Sequence, residues 1–455
     1  MIRYAATFFL LSYCFTASLV LAAEKPNFII IFTDDQGYND LSCFGSKKIK
    51  TPNIDSIAAE GRKFTSFYVA SPVCSPSRAA LLTGCYPIRI GIAKHVIFPA
   101  DKHGMHTDEV TIADLLKGAG YATACVGKWH LGHEKAFLPT SQGFDSYFGI
   151  PYSNDMSYPD NKNKPKMSSD EIWKNQQSDL SWNTPLMINE EITDLPVNQR
   201  QITRRYTDQA ITFVTANKNK PFFLYLPHSM PHIPLYVPED VYDPNPQNAY
   251  TNVIEHIDAE VGRLLKTIKE LKIDRNTYII YTTDNGPWLQ FKNHGGSALP
   301  LREGKGTTYD GGQRVPCVMK GPGIPAGTTS DQIMSTIDIL PSIAALAGVE
   351  LKTRGPIDGF NASKLMLGAE ASPRQEFVYY SSQGVLEGLR QGDYKLRVAK
   401  GKNGEEPIEL YNLKEDIGEN NNLAKKMPEK VTSLTARMKE LHGDITKDVR
   451  PRGQK

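Results

Sequence analysis

The sequence predicts an α/β sandwich, a sheet of buried and mainly parallel strands between helices, followed by a smaller C-terminal α+β unit. Four short apolar runs of strand length, each closing on polar or titratable residues, predict the strands. Helix-like stretches set between those runs predict the sandwich. Two further strand-like runs, a turn-rich stretch and one helix after about Ser372 predict the second unit. The expected organisation is a leader over 1–23, a main domain over 24–371 and a C-terminal subdomain with a small antiparallel sheet over 372–455.

The first run, Asn27 to Thr33, closes on Asp34-Asp35, and Tyr121 to Val126 closes on Gly127-Lys128-Trp129-His130. Pro221 to Leu226 closes on Pro227-His228, and Thr277 to Thr283 on Asp284-Asn285. Continuous apolar runs of this length suit strands buried on both faces, as in a parallel sheet. Thr111 to Gly118, Gln201 to Ala216 and Asn252 to Leu271 read as the intervening helices. Ligands of such sheets gather at the carboxyl ends of the strands. Four runs ending there in titratable or metal-binding side chains point to one shared site. Residues 151–196, rich in Asn, Asp, Ser and Pro, read as an irregular insertion that shapes substrate entry. In the C-terminal unit, Phe377 to Tyr380 and Tyr394 to Val398 read as strands, Asn420-Asn421-Asn422 as a turn, and Glu429 to His442 as a helix. The Pro-, Arg- and Lys-rich end is expected to be disordered.

A net charge of +2 over 455 residues leaves no general basic field for nucleic acid. Arg3 precedes an apolar stretch from Ala5 to Leu21, closed by Ala22-Ala23 before Glu24-Lys25. That order is the pattern of a secretory signal peptide; an uncleaved anchor is the alternative. No later segment has the roughly 20 apolar residues of a membrane span. The expectation is an exported protein, periplasmic or secreted, with no stable span after signal cleavage. Cys43, Cys74, Cys85, Cys125 and Cys317 lie beyond the leader, and an odd count in an exported chain flags an unpaired thiol.

The segment Cys74-Ser75-Pro76-Ser77-Arg78-Ala79-Ala80-Leu81-Leu82-Thr83-Gly84 carries the most specific signal. It is C-x-P-S-R followed by L-x-T-G, and it resembles the signature of type I, formylglycine-dependent sulfatases. Asn27 to Gly37, Gly127-Lys128-Trp129-His130-Leu131-Gly132, Thr283-Asp284-Asn285-Gly286 and Gly304-Lys305-Gly306-Thr307-Thr308-Tyr309-Asp310-Gly311-Gly312 extend the resemblance to the arylsulfatase A-like branch. The resemblance implies an alkaline-phosphatase-like mixed sheet sandwiched by helices, with the smaller C-terminal subdomain already read from the residues.

Asp34, Asp35, Asp284 and Asn285 offer only oxygen ligands, which suit calcium or magnesium rather than zinc. Two adjacent carboxylates also repel unless a cation lies between them. The resemblance favours one calcium ion, with residue 74 as a fifth ligand. It further implies that a maturation enzyme oxidises Cys74 to formylglycine, whose hydrate attacks sulfur through one hydroxyl, aided by Asp284. His130 would help deprotonate the other hydroxyl and so expel sulfate. By the same resemblance Arg78 and Lys128 brace the diol and sulfate, Lys305 contacts the sulfate oxygens, and His232 meets the leaving-group side. Ser153 is expected to approach the substrate. His228 is either a pocket neighbour or a structural histidine, and His294 either reads a sugar or is an exposed loop histidine. The implied substrate is a sulfated carbohydrate, cleaved from a chain end, or an aryl sulfate. A phosphonate or phosphate ester hydrolase, or an inactive glycan-binding homologue, are the alternatives.

Overall fold

A computed structural model describes residues 25–160, 167–176, 182–399 and 407–455, so the leader expected at 1–23 lies outside the described residues. Its main sheet is assembled from β1 (Asn27–Thr33) and β2 (Arg62–Tyr68), with a two-residue β3 (His103–Gly104) standing apart. β4 (Ala122–Val126), β5 (Ser146–Gly149), β6 (Leu186–Ile188), β7 (Glu191–Asp194), β8 (Phe222–Pro227) and β9 (Thr277–Thr283) follow. β10 (Arg314–Lys320), β11 (Thr328–Ser330) and β12 (Met334–Ser335) complete it. The spatial order is β11-β2-β10-β9-β1-β8-β4-β5-β6-β7, with β12 beside β2. The block β9-β1-β8-β4-β5 is parallel. β10 runs antiparallel to both β9 and β2, and β6 and β7 run antiparallel in sequence, so the sheet is mixed.

Successive residues of a strand face opposite sides of a sheet. Phe28, Ile30 and Phe32 of β1 therefore enter one core cluster, with Leu81 and Leu82 of the helix Cys74–Thr83, Leu116 of Ile112–Gly118 and Leu340 of Ile339–Leu346. Ile29 and Ile31 enter the other, with Ile57 of Pro52–Ala59, Tyr206 of Ile202–Ala216 and Val261 of Ala249–Glu270. This two-sided burial is why β1 shows no apolar–polar alternation. Each such side chain contributes about 1.5–3 kcal/mol relative to exposure. The helix Ile112–Gly118 starts at a capping box between Thr111 and Asp114. Among its described residues, the stretch 151–196 is less irregular than its composition suggests. It holds the helix Ser169–Asn175, also opened by a capping box, and adds β6 and β7 to the sheet edge.

β13 (Glu376–Tyr380), β14 (Leu386–Gln391), β15 (Tyr394–Val398) and β16 (Ile408–Asn412) form a second, antiparallel sheet, packed by the helix Pro428–Lys447. Its seam with the main sheet is centred on buried Asp310. Tyr379 and Lys395 donate to Asp310 Oδ1 at 2.8 and 2.9 Å, and Tyr68 donates to Oδ2 at 2.9 Å. Burial would raise this carboxyl, but Lys395, Arg314 and Arg390 hold it well below the usual range. The chain's last residues are a correction to the expectation of disorder. β17 (Gly453–Gln454) pairs antiparallel with β3, and Arg450 holds Glu109 at 2.8 Å. Main-chain pairing and a largely buried ion pair fix a segment whose composition alone reads as solvated.

Among the described residues no helix is long and apolar enough to cross a membrane, and Cys43, Cys74, Cys85, Cys125 and Cys317 are all free thiols.

Candidate active site

The carboxyl edge of the parallel block gathers the four strand endings. Asp34-Asp35 follow β1, Lys128 and His130 follow β4, His228 and His232 follow β8, and Asp284-Asn285 follow β9. Ser153 lies a few residues beyond β5. β2 runs the same way as this block, so its end delivers the chain to Cys74, the first residue of the helix Cys74–Thr83. The first turn of a helix leaves N–H groups without internal partners and carries the positive end of the dipole, which favours an anion. Gly127 allows the crowding: a Cβ there would lie 2.0 Å from the Pro227 carbonyl oxygen. Asp35 and His130 both adopt left-handed φ, at 60° and 62°, backbone strain of the kind that collects at functional sites.

Cys74 Sγ lies 3.5 Å from Asp34 Oδ1 and 3.6 Å from Lys305 Nζ. Lys128 Nζ donates to Asp34 Oδ2 and, at 3.1 Å, to Ser153 Oγ. Arg78 donates through Nε and Nη2 to Asp284 Oδ2 at 3.0 and 2.7 Å, and its Nη2 is 3.5 Å from Asp34. Lys305 Nζ donates to Asp35 Oδ2 at 2.8 Å, and Asn285 Nδ2 donates to Asp35 Oδ1 at 2.7 Å. Asp34, Asp35 and Asp284 thus face Arg78, Lys128 and Lys305, three carboxylates against three cations, nearly all fully buried. Burial would raise Asp34, yet Lys128, His232, Arg78 and Lys305 keep it well below the usual carboxylate range. Burial and the neighbouring charge of Asp34 push Asp284 the other way. Burial, reinforced by Asp34, raises the Cys74 thiol well above its ordinary value.

His130 Nε2 lies 3.1 Å from the Ile97 carbonyl, which can only accept, so Nε2 carries the proton. Its Nδ1 is buried without a partner, and burial, Lys128 and Arg78 hold the ring well below the usual histidine range. It is a neutral imidazole with a free lone pair. His232 Nδ1 likewise donates to the Ile233 carbonyl at 2.6 Å, which leaves Nε2 facing Asp35 Oδ2 at 3.6 Å.

Two sequence candidates sit elsewhere. Both ring nitrogens of His228 lack a partner, and its ring lies 6.2 Å from that of Tyr206 on the helix Ile202–Ala216. Burial, with His256 adding to it, lowers this ring to about 3, which fits the structural histidine rather than the pocket neighbour. His294 is buried and its Nε2 is 2.8 Å from Asp170 Oδ1, so it ties its loop to the helix Ser169–Asn175. Sequence reasoning missed Trp288, whose ring lies 4.2 Å under Lys305 Nζ and 5.5 Å from the His232 ring. Its place three residues past Asn285 was the available signal. It also missed Ile97, which contributes only backbone.

The residues present fit a hard divalent cation. Asp34, Asp35, Cys74 and His232 each offer a ligand atom within 4.8 Å of one another. Asp284 lies next to this group, its Oδ1 accepting from Asp35 N at 3.2 Å, and Asn285 Oδ1 is a buried acceptor without a partner. The donors are mostly oxygens, as calcium or magnesium requires. His232, whose nitrogen a hard cation disfavours, is the weaker member of the group.

A sulfatase family model matches residues 26–349. Arylsulfatase A of Homo sapiens is 36% identical over 436 residues, covering 90% of this chain and 85% of that protein. N-acetylgalactosamine-6-sulfatase of Canis lupus familiaris is 36% identical over 389 residues, covering 82% of this chain and 72% of that protein. A crystal structure of Ps i-CgsB in complex with k-i-k-neocarrahexaose shares the fold with a TM-score of 0.80 and 31% identity, covering 94% of this chain and 95% of that one. A site built to hold an anion among buried cations, on a chain related to these enzymes along most of its length, has one meaning: the protein belongs to the sulfatase family and hydrolyses sulfate esters.

Proposed function

We propose that this sulfatase removes sulfate from carbohydrate chains, acting from a chain end with formylglycine at position 74 and one calcium ion held by Asp34, Asp35, Asp284, Asn285 and residue 74. The carrying observation is the placement of Cys74, at a helix N-terminus and within 3.6 Å of both a metal-type carboxylate and Lys305. When present, hydrated formylglycine supplies a nucleophilic hydroxyl, and calcium offsets negative charge at the sulfuryl group.

This chain's own side chains supply the rest. With all three carboxyls ionised they balance the three cations, so a divalent ion adds +2. That charge matches the single negative charges of a sulfate ester and of an ionised hydroxyl. Lys305 and Lys128 hold the sulfuryl oxygens and Arg78 fixes Asp284; one strong donor of this kind is worth roughly 3–4 kcal/mol. His130 Nδ1, the free lone pair, accepts the proton whose removal releases sulfate. The Nδ1–H of His232 stays on the Ile233 carbonyl. In its doubly protonated form this ring serves the leaving oxygen by giving up the Nε2 proton and returning to neutral, with Trp288 packed against it and Ser153 bonded to Lys128. A carbohydrate substrate is supported by the relatives, one named for N-acetylgalactosamine 6-sulfate and one bound to neocarrahexaose. Export, and maturation by a formylglycine-generating enzyme, complete the proposal.

The test is one preparation and two measurements. Protein made together with a maturation enzyme is digested, and the peptide holding residue 74 is assayed for aldehyde. The same protein is offered defined sulfated mono- and oligosaccharides beside matched aryl sulfate and aryl phosphate esters. Aldehyde with sulfate release from a sugar is the expected result. Much faster phosphate cleavage, or aldehyde without turnover on any sulfated sugar, would sink the assignment.

A further inference from the structure

His130 is aimed from one side only. Its Nε2 is fixed by the Ile97 carbonyl at 3.1 Å, and the Ile97 N–H in turn donates to Ser75 Oγ at 3.0 Å, beside residue 74. The loop 91–105 therefore ties the nucleophile position to the proton acceptor. Between Gly91 and its two-residue β3 this loop has no regular structure, so something outside it must set the position of the Ile97 carbonyl.

Near Ile97 the loop is held by the bond to Ser75 Oγ and by His95 N, which donates to Ser382 O at 2.9 Å; at its far end the support is the chain's last residues. β17 pairs Gly453 with Gly104 and Gln454 with His103. One residue further on, Met105 N donates to the carbonyl of Leu131, the neighbour of His130, at 2.8 Å. Upstream, Arg450 N donates to Arg89 O at 2.6 Å, while its guanidinium grips both Glu109 oxygens at 2.8 Å. The fit is tight enough to need glycine. A Cβ on Gly104, Gly132 or Gly453 would lie 2.6, 2.6 or 2.4 Å from Phe137, whose carbonyl accepts from Trp129 Nε1 at 2.8 Å. Phe137 thus wedges between the last strand and the backbone of Gly104 and Gly132, and holds the Trp129 indole next to His130.

We propose that residues 449–455 are a positioning strap for His130: by pairing with His103–Gly104 and closing on Phe137, they hold the loop whose Ile97 carbonyl sets the tautomer and orientation of the imidazole. The proposal rests on His130 acting as the proton acceptor. The strap touches no substrate, so its loss lowers kcat while leaving substrate binding alone. Misplacement of a catalytic group by about 1 Å costs as much as 10²-fold.

Two variants test it: a chain shortened by residues 453–455, which keeps the Arg450–Glu109 pair, and Gly453→Val, which drives a side chain into Phe137. Each is expected to lose about tenfold or more in kcat with KM unchanged. Amide hydrogen exchange at Ile97 and Met105 should quicken at least about tenfold while the unfolding temperature stays near the parent's. In a His130→Ala background the same shortening should cost less than about twofold, because the group it positions is gone. Full kcat in the shortened chain, or an equal loss with and without His130, overturns the strap. Parent-like turnover by His130→Ala alone removes the proton-acceptor role and the strap with it, a failure visible without any change to the tail.

Discussion

The edge of the parallel sheet and the seam with the antiparallel sheet both bury charge, yet they finish the job differently. At the seam, Asp310 accepts from Tyr379, Lys395 and Tyr68 within 2.9 Å, and its carboxylate is satisfied within the fold. At the edge, Asn285 Oδ1 and His130 Nδ1 remain buried without partners although carboxylates and cations crowd around them. An unsatisfied buried polar atom costs roughly 1–3 kcal/mol. The seam spends its charge on holding two sheets together. The edge carries polar groups whose natural partners are ligands.

The sharpest break in that comparison is Cys74→Ala. It removes the precursor of the nucleophile but only a small buried side chain, so turnover should fall by about 10⁴-fold or more, measured as sulfate release. The urea midpoint should move far less than for a seam substitution. Wild-type-like activity would contradict the role of residue 74.

A pair of lysines separates the two regions next. Lys395→Met leaves Glu419 buried without its cation and takes from Asp310 the nearest of its cations, and should cost about 3–5 kcal/mol of stability by denaturant unfolding. Lys305→Ala, at the edge, should lower kcat/KM by about 10²–10³-fold with a smaller stability loss than Lys395→Met, because the divalent cation proposed beside Asp35 still faces that carboxylate. Equal stability losses for both would erase the distinction drawn here.

How much of this was legible follows from the same contrast. β1, β4, β8 and β9 were readable because two-sided burial makes their central positions mostly apolar, and the polar residues that close them mark where the sheet's edge lies. The Cys74 segment was readable because its chemistry constrains adjacent residues. Asp310, Lys395 and Glu419 meet across more than 80 residues and carry no local pattern, so nothing in the sequence joined them. β17 was invisible for another reason: its contacts are main-chain hydrogen bonds and bare glycine surfaces, which composition does not report. β6 and β7 hid inside a polar stretch because an edge hairpin exposes much of its surface. His294 was expected to be either a sugar reader or an exposed loop histidine; the structure buries it, an outcome hidden from the sequence because an isolated loop histidine gives no hint of a distant Asp170.

Chelation sharpens the edge further. If the carboxylates and Asn285 hold calcium, removing it with EDTA should abolish turnover and destabilise the fold, by about 2.7 kcal/mol where free calcium had been 100 times its dissociation constant. Calcium should restore both activity and unfolding temperature. Unchanged unfolding and activity in protein shown by metal analysis to be calcium-free would remove the ion from the proposal.

The smallest effect concerns His228, which shares a strand end with the active residues but not their surroundings. Burial lowers its ring to about 3, so the folded protein holds it neutral while the unfolded chain protonates near the ordinary value of about 6.5. Its folded-state pKa is depressed, so its contribution to stability is whole above about pH 6.5 and is lost as the solution is acidified. From pH 6.5 to 5 that loss amounts to about 2 kcal/mol. His228→Leu cannot bind that proton in either state, so its stability should fall less over the same interval, measured as urea midpoints at the two pH values. Its turnover at neutral pH should match the parent's. If instead the variant keeps the parent's acid sensitivity and loses activity, His228 belongs with the catalytic edge, and the line between chemistry and packing runs one residue layer deeper than the contacts place it.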